Sequence, residues 1–111
     1  MTREEVHALI TALPLVEEGT SWGMPSYKAA GKFLTRIRAE DDSLVVYLDS
    51  IDERDMLIDA EPDTFHLTDH YRGYPIVLAR VASVDPEWLK VRLTARWRRL
   101  VSAKARKAHS L

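Results

Sequence analysis

Residues 22–48 read WGMPSYKAAGKFLTRIRAEDDSLVVYL. Gly31 and the polar run Glu40-Asp41-Asp42-Ser43 cut the stretch into three β-prone segments, predicting strands over 22–29, 32–38 and 44–48. Pro25 lacks an amide donor, so the first half of the first strand is expected at an edge or a bulge. Parity then selects the hairpin. A two-residue loop at Ala30-Gly31 pairs Lys28 with Phe33 and mixes faces. A three-residue loop, Ala29-Ala30-Gly31, pairs Lys28 with Lys32 and Tyr27 with Phe33, and puts glycine at the left-handed position. On that register Tyr27, Phe33 and Ile37 enter the core. Lys28, Lys32, Leu34, Arg36 and Arg38 share the other face, and these four cations are the most suggestive local pattern in the chain.

Outward from this stretch, a helix is expected over 3–13. Thr2 and Glu5 have the spacing of a capping box, and Val6, Leu9, Ile10 and Leu13 form the buried stripe. Pro14 ends it, and Glu17, Glu18 and Gly19 read as a loop. Ser50 caps a short helix over 51–60, with Glu53 at its third position. A short strand follows over 64–68, and an almost continuous apolar run predicts a central strand over 75–83. Asp85-Pro86 starts a long helix expected to reach residues 104–107. Its apolar stripe is Leu89, Leu93, Trp97, Leu100 and Val101, flanked by a second stripe of Arg92, Arg96, Arg99 and Arg106. The expected fold is α+β: one domain over 1–111, a two-layer sandwich with an antiparallel sheet of about five strands. The N- and C-terminal helices cover one face, the short helix lies between strands three and four, and the other face is open to water.

The chain's 111 residues, 46% hydrophobic and 30% charged, suit one globular domain rather than a disordered chain. The absence of cysteine excludes disulfides, thiolate metal sites and a thiol nucleophile. No apolar run approaches the ~18–20 residues that span a bilayer, and the N-terminal residues do not read as a secretory signal. The cytoplasm is the expected compartment and a monomer the expected state. A net charge of −1 hides a split: residues 1–85 carry 8 basic and 16 acidic side chains, residues 86–111 carry 8 basic and only Glu87. A basic region of this kind can meet a polyanion, although cations near a helix C-terminus also complement its dipole.

Motifs for catalysis are missing. The sequence holds no Gly-x-Ser-x-Gly elbow, no phosphate-cradling glycine loop and no recognisable general acid/base pair, so an enzyme is not expected. His66 and His70 are four apart, but the strand expected there gives them no helical frame for a metal. No cofactor is expected. The run His70-Tyr71-Arg72-Gly73-Tyr74-Pro75 is richer, since aromatics beside an arginine can stack on bases or hold a phosphate. Tyr71 and Tyr74 can equally serve as lids over the core.

The stretch from Leu13 to Lys28, with Gly31-Lys32-Phe33, resembles the opening of the MmcQ/YjbR family. Asp63-Thr64-Phe65 and His70-Tyr71-Arg72-Gly73-Tyr74-Pro75 resemble its second signature, and Trp88-Leu89 with Ala95 and Trp97 fits its closing helix. The resemblance implies a CyaY-like (frataxin-like) two-layer fold and a DNA-binding role in which hairpins act as a double wing. It supplies no catalytic residues. Nor does it import iron binding, because the first helix offers only Glu4 and Glu5, with Glu17 and Glu18 beyond it. On the DNA reading Lys28, Lys32, Arg36 and Arg38 line one wing, and His70, Tyr71, Arg72 and Tyr74 form a second contact area. The alternative is a small-molecule or protein-binding module that uses the open sheet face with Trp22, Tyr71 and Tyr74.

Overall fold

The computed structural model describes residues 1–21 and 23–111. Helix α1 runs Arg3–Thr11. The Thr2 hydroxyl accepts the Glu5 amide at 3.1 Å, and the Glu5 carboxylate accepts the Thr2 amide at 2.9 Å. The Thr2 amide on the carboxylate, followed by the Thr2 side chain, holds the Glu5 carboxyl below its ordinary value. Four strands follow: β1 (Val16–Ser21), β2 (Met24–Ala29), β3 (Lys32–Arg38) and β4 (Ser43–Tyr47). Helix α2 (Ile51–Ala60) starts at Ser50, whose hydroxyl accepts the Glu53 amide. Strand β5 (Phe65–His66), a 3-10 turn (Asp69–Tyr71) and β6 (Ile76–Arg80) complete a six-stranded sheet in the order β1-β2-β3-β4-β6-β5. All its neighbours are antiparallel. Helix α3 (Pro86–Leu100) begins where the Asp85 side chain accepts the Trp88 amide, and α4 (Ala103–His109) follows. Among the described residues, no helix is long and apolar enough to cross a membrane.

Residues 16–21 are a strand, not the loop expected at Glu17, Glu18 and Gly19, which makes six strands rather than about five. β1 pairs with β2 along its whole length, from Val16↔Ala29 to Ser21↔Met24. An edge strand is hydrogen-bonded on one side only, so Glu17, Glu18 and Thr20 can stay exposed, and no apolar run marks it.

The β2–β3 hairpin also differs. Ala29 pairs with Lys32, leaving the two-residue turn Ala30-Gly31 with φ of 50° and 79°. Such a turn matches the twist of the strands it joins. Lys28 then faces Phe33, and the register shifts so that Tyr27 faces Thr35 and Ser26 faces Arg36. The skipped residue, Leu34, makes a β-bulge. The bulge resolves the parity conflict: Leu34 and Ile37 both enter the core with Tyr27, while Phe33 packs on the opposite face.

β3 and β4 pair only at Ile37↔Leu44 and Arg38↔Ser43. Beyond that point the Thr35 hydroxyl donates to the Val45 carbonyl at 2.7 Å and stands in for the ladder. The helix expected to continue to 104–107 stops at Leu100. Val101 is extended, and Ser102 caps α4 by accepting the Ala105 amide.

Alternation along β4 and β6 separates two apolar clusters. Leu44, Val46, Val77 and Ala79 join Val6 and Ile10 of α1 and Leu89, Leu93 and Trp97 of α3 in the main core. Val45, Ile76 and Leu78 point the other way, where Tyr71, Leu67, Phe33 and Tyr47 cover them. The second face is therefore partly roofed rather than open.

Candidate functional site

The hairpin does not present its four cations on one face. Lys28, Arg36 and Arg38 lie on the face of Phe33, whereas Lys32 pairs with Ala29 and lies on the side of the main core, at the hairpin tip. Lys28 and Lys32 are exposed. Glu17 stands directly across from Lys28 in the β1–β2 register. Among the described residues, Lys28, Lys32 and Arg36 make no ion pair, and Arg36 reaches the Tyr71 hydroxyl at 3.5 Å. Arg38 is different: it is buried and bound to Glu40 at 3.1 Å and Asp41 at 3.4 Å.

Arg38 of β3 belongs to a charged row that runs through Asp41 of the β3–β4 turn to β5 and β6. Asp41 also binds His66 Nε2 at 2.8 Å, and Arg80 meets His66 Nδ1 at 3.2 Å. A guanidinium can only donate, so Nδ1 accepts and the Nε2–H points at Asp41. Both nitrogens of His66 are thereby engaged. Tyr71 packs over this row, with the Arg38 guanidinium 5.8 Å from its ring centre.

The second wing disperses. Tyr71 is 8% exposed and is part of the second apolar cluster. His70 sits edge-on to it. Arg72 is exposed but bound to Asp69, which raises its already high pKa. Tyr74 stands 57% exposed, with its backbone carbonyl held at 3.1 Å by Arg54. The same Arg54 nitrogen also donates to the Arg72 carbonyl at 2.8 Å, so α2 pins this loop. Trp22 lies outside the described residues.

A junction that sequence reasoning did not place joins α3 to the hairpin. Arg96 Nη2 donates to the Phe33 carbonyl at 3.3 Å, and the guanidinium stacks 3.8 Å above the Tyr47 ring. The parting of β3 from β4 after Thr35 makes room for it. Phe33 and Tyr47 meet edge to face at 6.2 Å. Arg92, Arg96 and Arg99 follow one another at helical spacing beside Asp49, which binds Arg99 at 3.1 Å and Arg92 at 3.5 Å. Arg92 also binds Glu53 at 2.9 Å. Arg96 therefore ties the basic C-terminal helix to the hairpin at the Phe33 carbonyl.

The sequence profile of the YjbR family matches residues 11–99. The chain belongs to the YjbR family. Uncharacterized proteins of Mycobacterium bovis and of two Mycobacterium tuberculosis strains are each 28% identical to it over 110 residues, spanning 86% of this chain and 85% of the relative. No solved structure matches it.

In this YjbR protein, several residues that carry the family resemblance support the core. Trp97 is fully buried, and its indole N–H donates to the Pro14 carbonyl at 2.7 Å, tying α3 to the segment before β1. Phe65 packs edge to face on Trp88 at 4.8 Å. Tyr27 is buried, with its hydroxyl 2.9 Å from His7 Nδ1. Burial, followed by the nearby Glu18 charge, pushes its phenol above the ordinary value.

Proposed function

We propose that this YjbR-family protein binds nucleic acid, with low sequence specificity, where the β2–β3 hairpin meets α3. The observation that carries the reading is the hydrogen bond from Arg96 to the Phe33 carbonyl, because it merges two basic segments far apart in sequence. Lys28, Lys32, Arg36 and Arg96 are the proposed phosphate contacts, with Phe33 and Tyr47 supplying apolar surface beside them. Cations of this kind position a protein on the backbone and carry no base readout. Arg38 and Arg72 drop out, since carboxylates already neutralise them. The net charge of −1 keeps the long-range attraction small, so binding depends on this local patch.

The proposal is of a binding protein without catalysis, acting as a cytoplasmic monomer. The occupied nitrogens of His66 support the first part. The CyaY-like description of the fold goes with it, supported by an antiparallel sheet whose main core is shared with α1 and α3.

Fluorescence anisotropy with a labelled duplex tests the reading. Contact with about four phosphates gives log K a slope of about −3.6 against log salt. An Arg96→Gln, Lys32→Gln variant loses about half that slope. No binding at ~20 mM salt and high micromolar protein overturns the reading.

A further inference from the structure

Tyr47, Leu48, Asp49, Arg92, Arg96 and Arg99 line a small recess at the end of β4. Its free space is about 10 Å³, the room of one water molecule. Three guanidinium groups line it, and two of them bind a single aspartate. Asp49 spans two of them, with one carboxylate oxygen on Arg99 and the other on Arg92. The third, Arg96, is clamped between the Tyr47 ring and the Phe33 carbonyl, and its buried Nε–H has no hydrogen-bond partner among the described residues. Buried donors are nearly always used, so this idle N–H leaves unused hydrogen-bonding capacity beside the arginine cluster.

We propose that this recess is a specific site for one phosphate group, and that the Asp49 carboxylate is a tethered anion which the phosphate displaces. The fork of a guanidinium matches phosphate oxygens in pairs, and Arg96 is already held rigid by stacking. Arg92 keeps Glu53 when Asp49 leaves, so only the Asp49 contacts are exchanged. Asp49 keeps 62% of its side chain exposed, so it can swing into water without a large desolvation change. The inference rests on the nucleic-acid reading for the source of its phosphate: a backbone diester rather than a free or terminal phosphate.

The test titrates inorganic phosphate into the full chain at constant ionic strength and follows the Nε–Hε NMR signals of Arg92, Arg96 and Arg99. The signals of Arg96 and Arg99 are expected to move, whereas chloride at the same ionic strength leaves them in place. Asp49→Asn tightens phosphate binding about fivefold, the worth of the exposed pairs it removes. Arg99→Gln, at an exposed position, weakens it by a similar factor, and Lys90→Gln, elsewhere on α3, changes nothing. Static signals, an Asp49→Asn variant no tighter than wild type, or equal losses from Arg99→Gln and Lys90→Gln overturn the site. A duplex without terminal phosphates is the second arm. If it moves the same signals, the diester is the source. If it binds while they stay still, this site is overturned and the nucleic-acid reading stands. If phosphate moves them and the duplex binds nowhere, the site holds for a free phosphate and the nucleic-acid reading falls.

Discussion

Arg38 keeps 11% of its side chain exposed and spends its charge on Glu40 and Asp41. Its role is to hold Asp41 between a guanidinium and His66 while Tyr71 closes over the row. Removing one partner of a buried ionic network leaves the other charge uncompensated, at a cost of ~3–5 kcal/mol. Arg38→Met is therefore expected to lose about 3 kcal/mol in urea unfolding, the low end, because Glu40 is 59% exposed. The same variant should leave the salt slope of duplex binding unchanged, whereas Arg36→Gln lowers it by about one contact.

Tyr27 gives a second test at this scale. Its phenol is raised by burial, so the fold favours the neutral form. The corresponding stability is complete below the ordinary tyrosine value of 10 and is lost as pH climbs from there through the folded value. Urea midpoints are expected to fall above pH 10 in the wild type and to fall less in Tyr27→Phe. Glu5 has the opposite sign: its lowered carboxyl favours the fold above its ordinary range, and the effect fades as pH drops through the depressed value. Thr2→Ala keeps the backbone amide that lowers the Glu5 carboxyl most and removes the hydroxyl, so it is expected to bring that carboxyl only partway back up in an NMR titration.

Among the elements, the hairpin sets where everything else sits. Ala30 adopts φ 50° without being glycine, a conformation that costs roughly 1 kcal/mol for an L-residue. Ala30→Asn, which creates the Asn-Gly pair favoured in such turns, is expected to stabilise the protein by about 0.5–1 kcal/mol in chemical unfolding. Gly31→Val destabilises by ~1–2 kcal/mol, because a β-branched side chain must adopt φ 79° there.

The starts of α1, α2 and α3 were legible because capping is local chemistry, carried by Thr2 with Glu5, Ser50 with Glu53, and Asp85 before Pro86. The hairpin register was not. Strict alternation forbids a two-residue loop that buries both Tyr27 and Leu34 with Ile37, and only a bulge, silent in the pattern, permits it. β1 escaped notice because Val16–Ser21 carries two acids and a glycine and answers to one neighbour. The break at Val101 escaped because Ser102 lies within a helix-favouring run and only its geometry reveals it as a cap.

At the scale of the molecule, the charge split along the chain finds its meaning in the fold. Residues 32–36 and 92–99 are far apart in sequence, and Arg96 joins α3 to Phe33 where the ends of β3 and β4 part. Composition could announce the basic C-terminal part but could not say which way its arginines face. That depends on which side of the sheet α3 packs, and Leu89, Leu93 and Trp97 settle it by entering the main core. The central claim, that this junction is the nucleic-acid surface, is tested most directly by backbone amide NMR during titration with a short duplex at low salt. Shifts clustered in residues 28–36, 47–49 and 92–99 are the predicted result. Shifts centred on α1 or on the Arg72–Tyr74 loop, with the hairpin and α3 unmoved, contradict it.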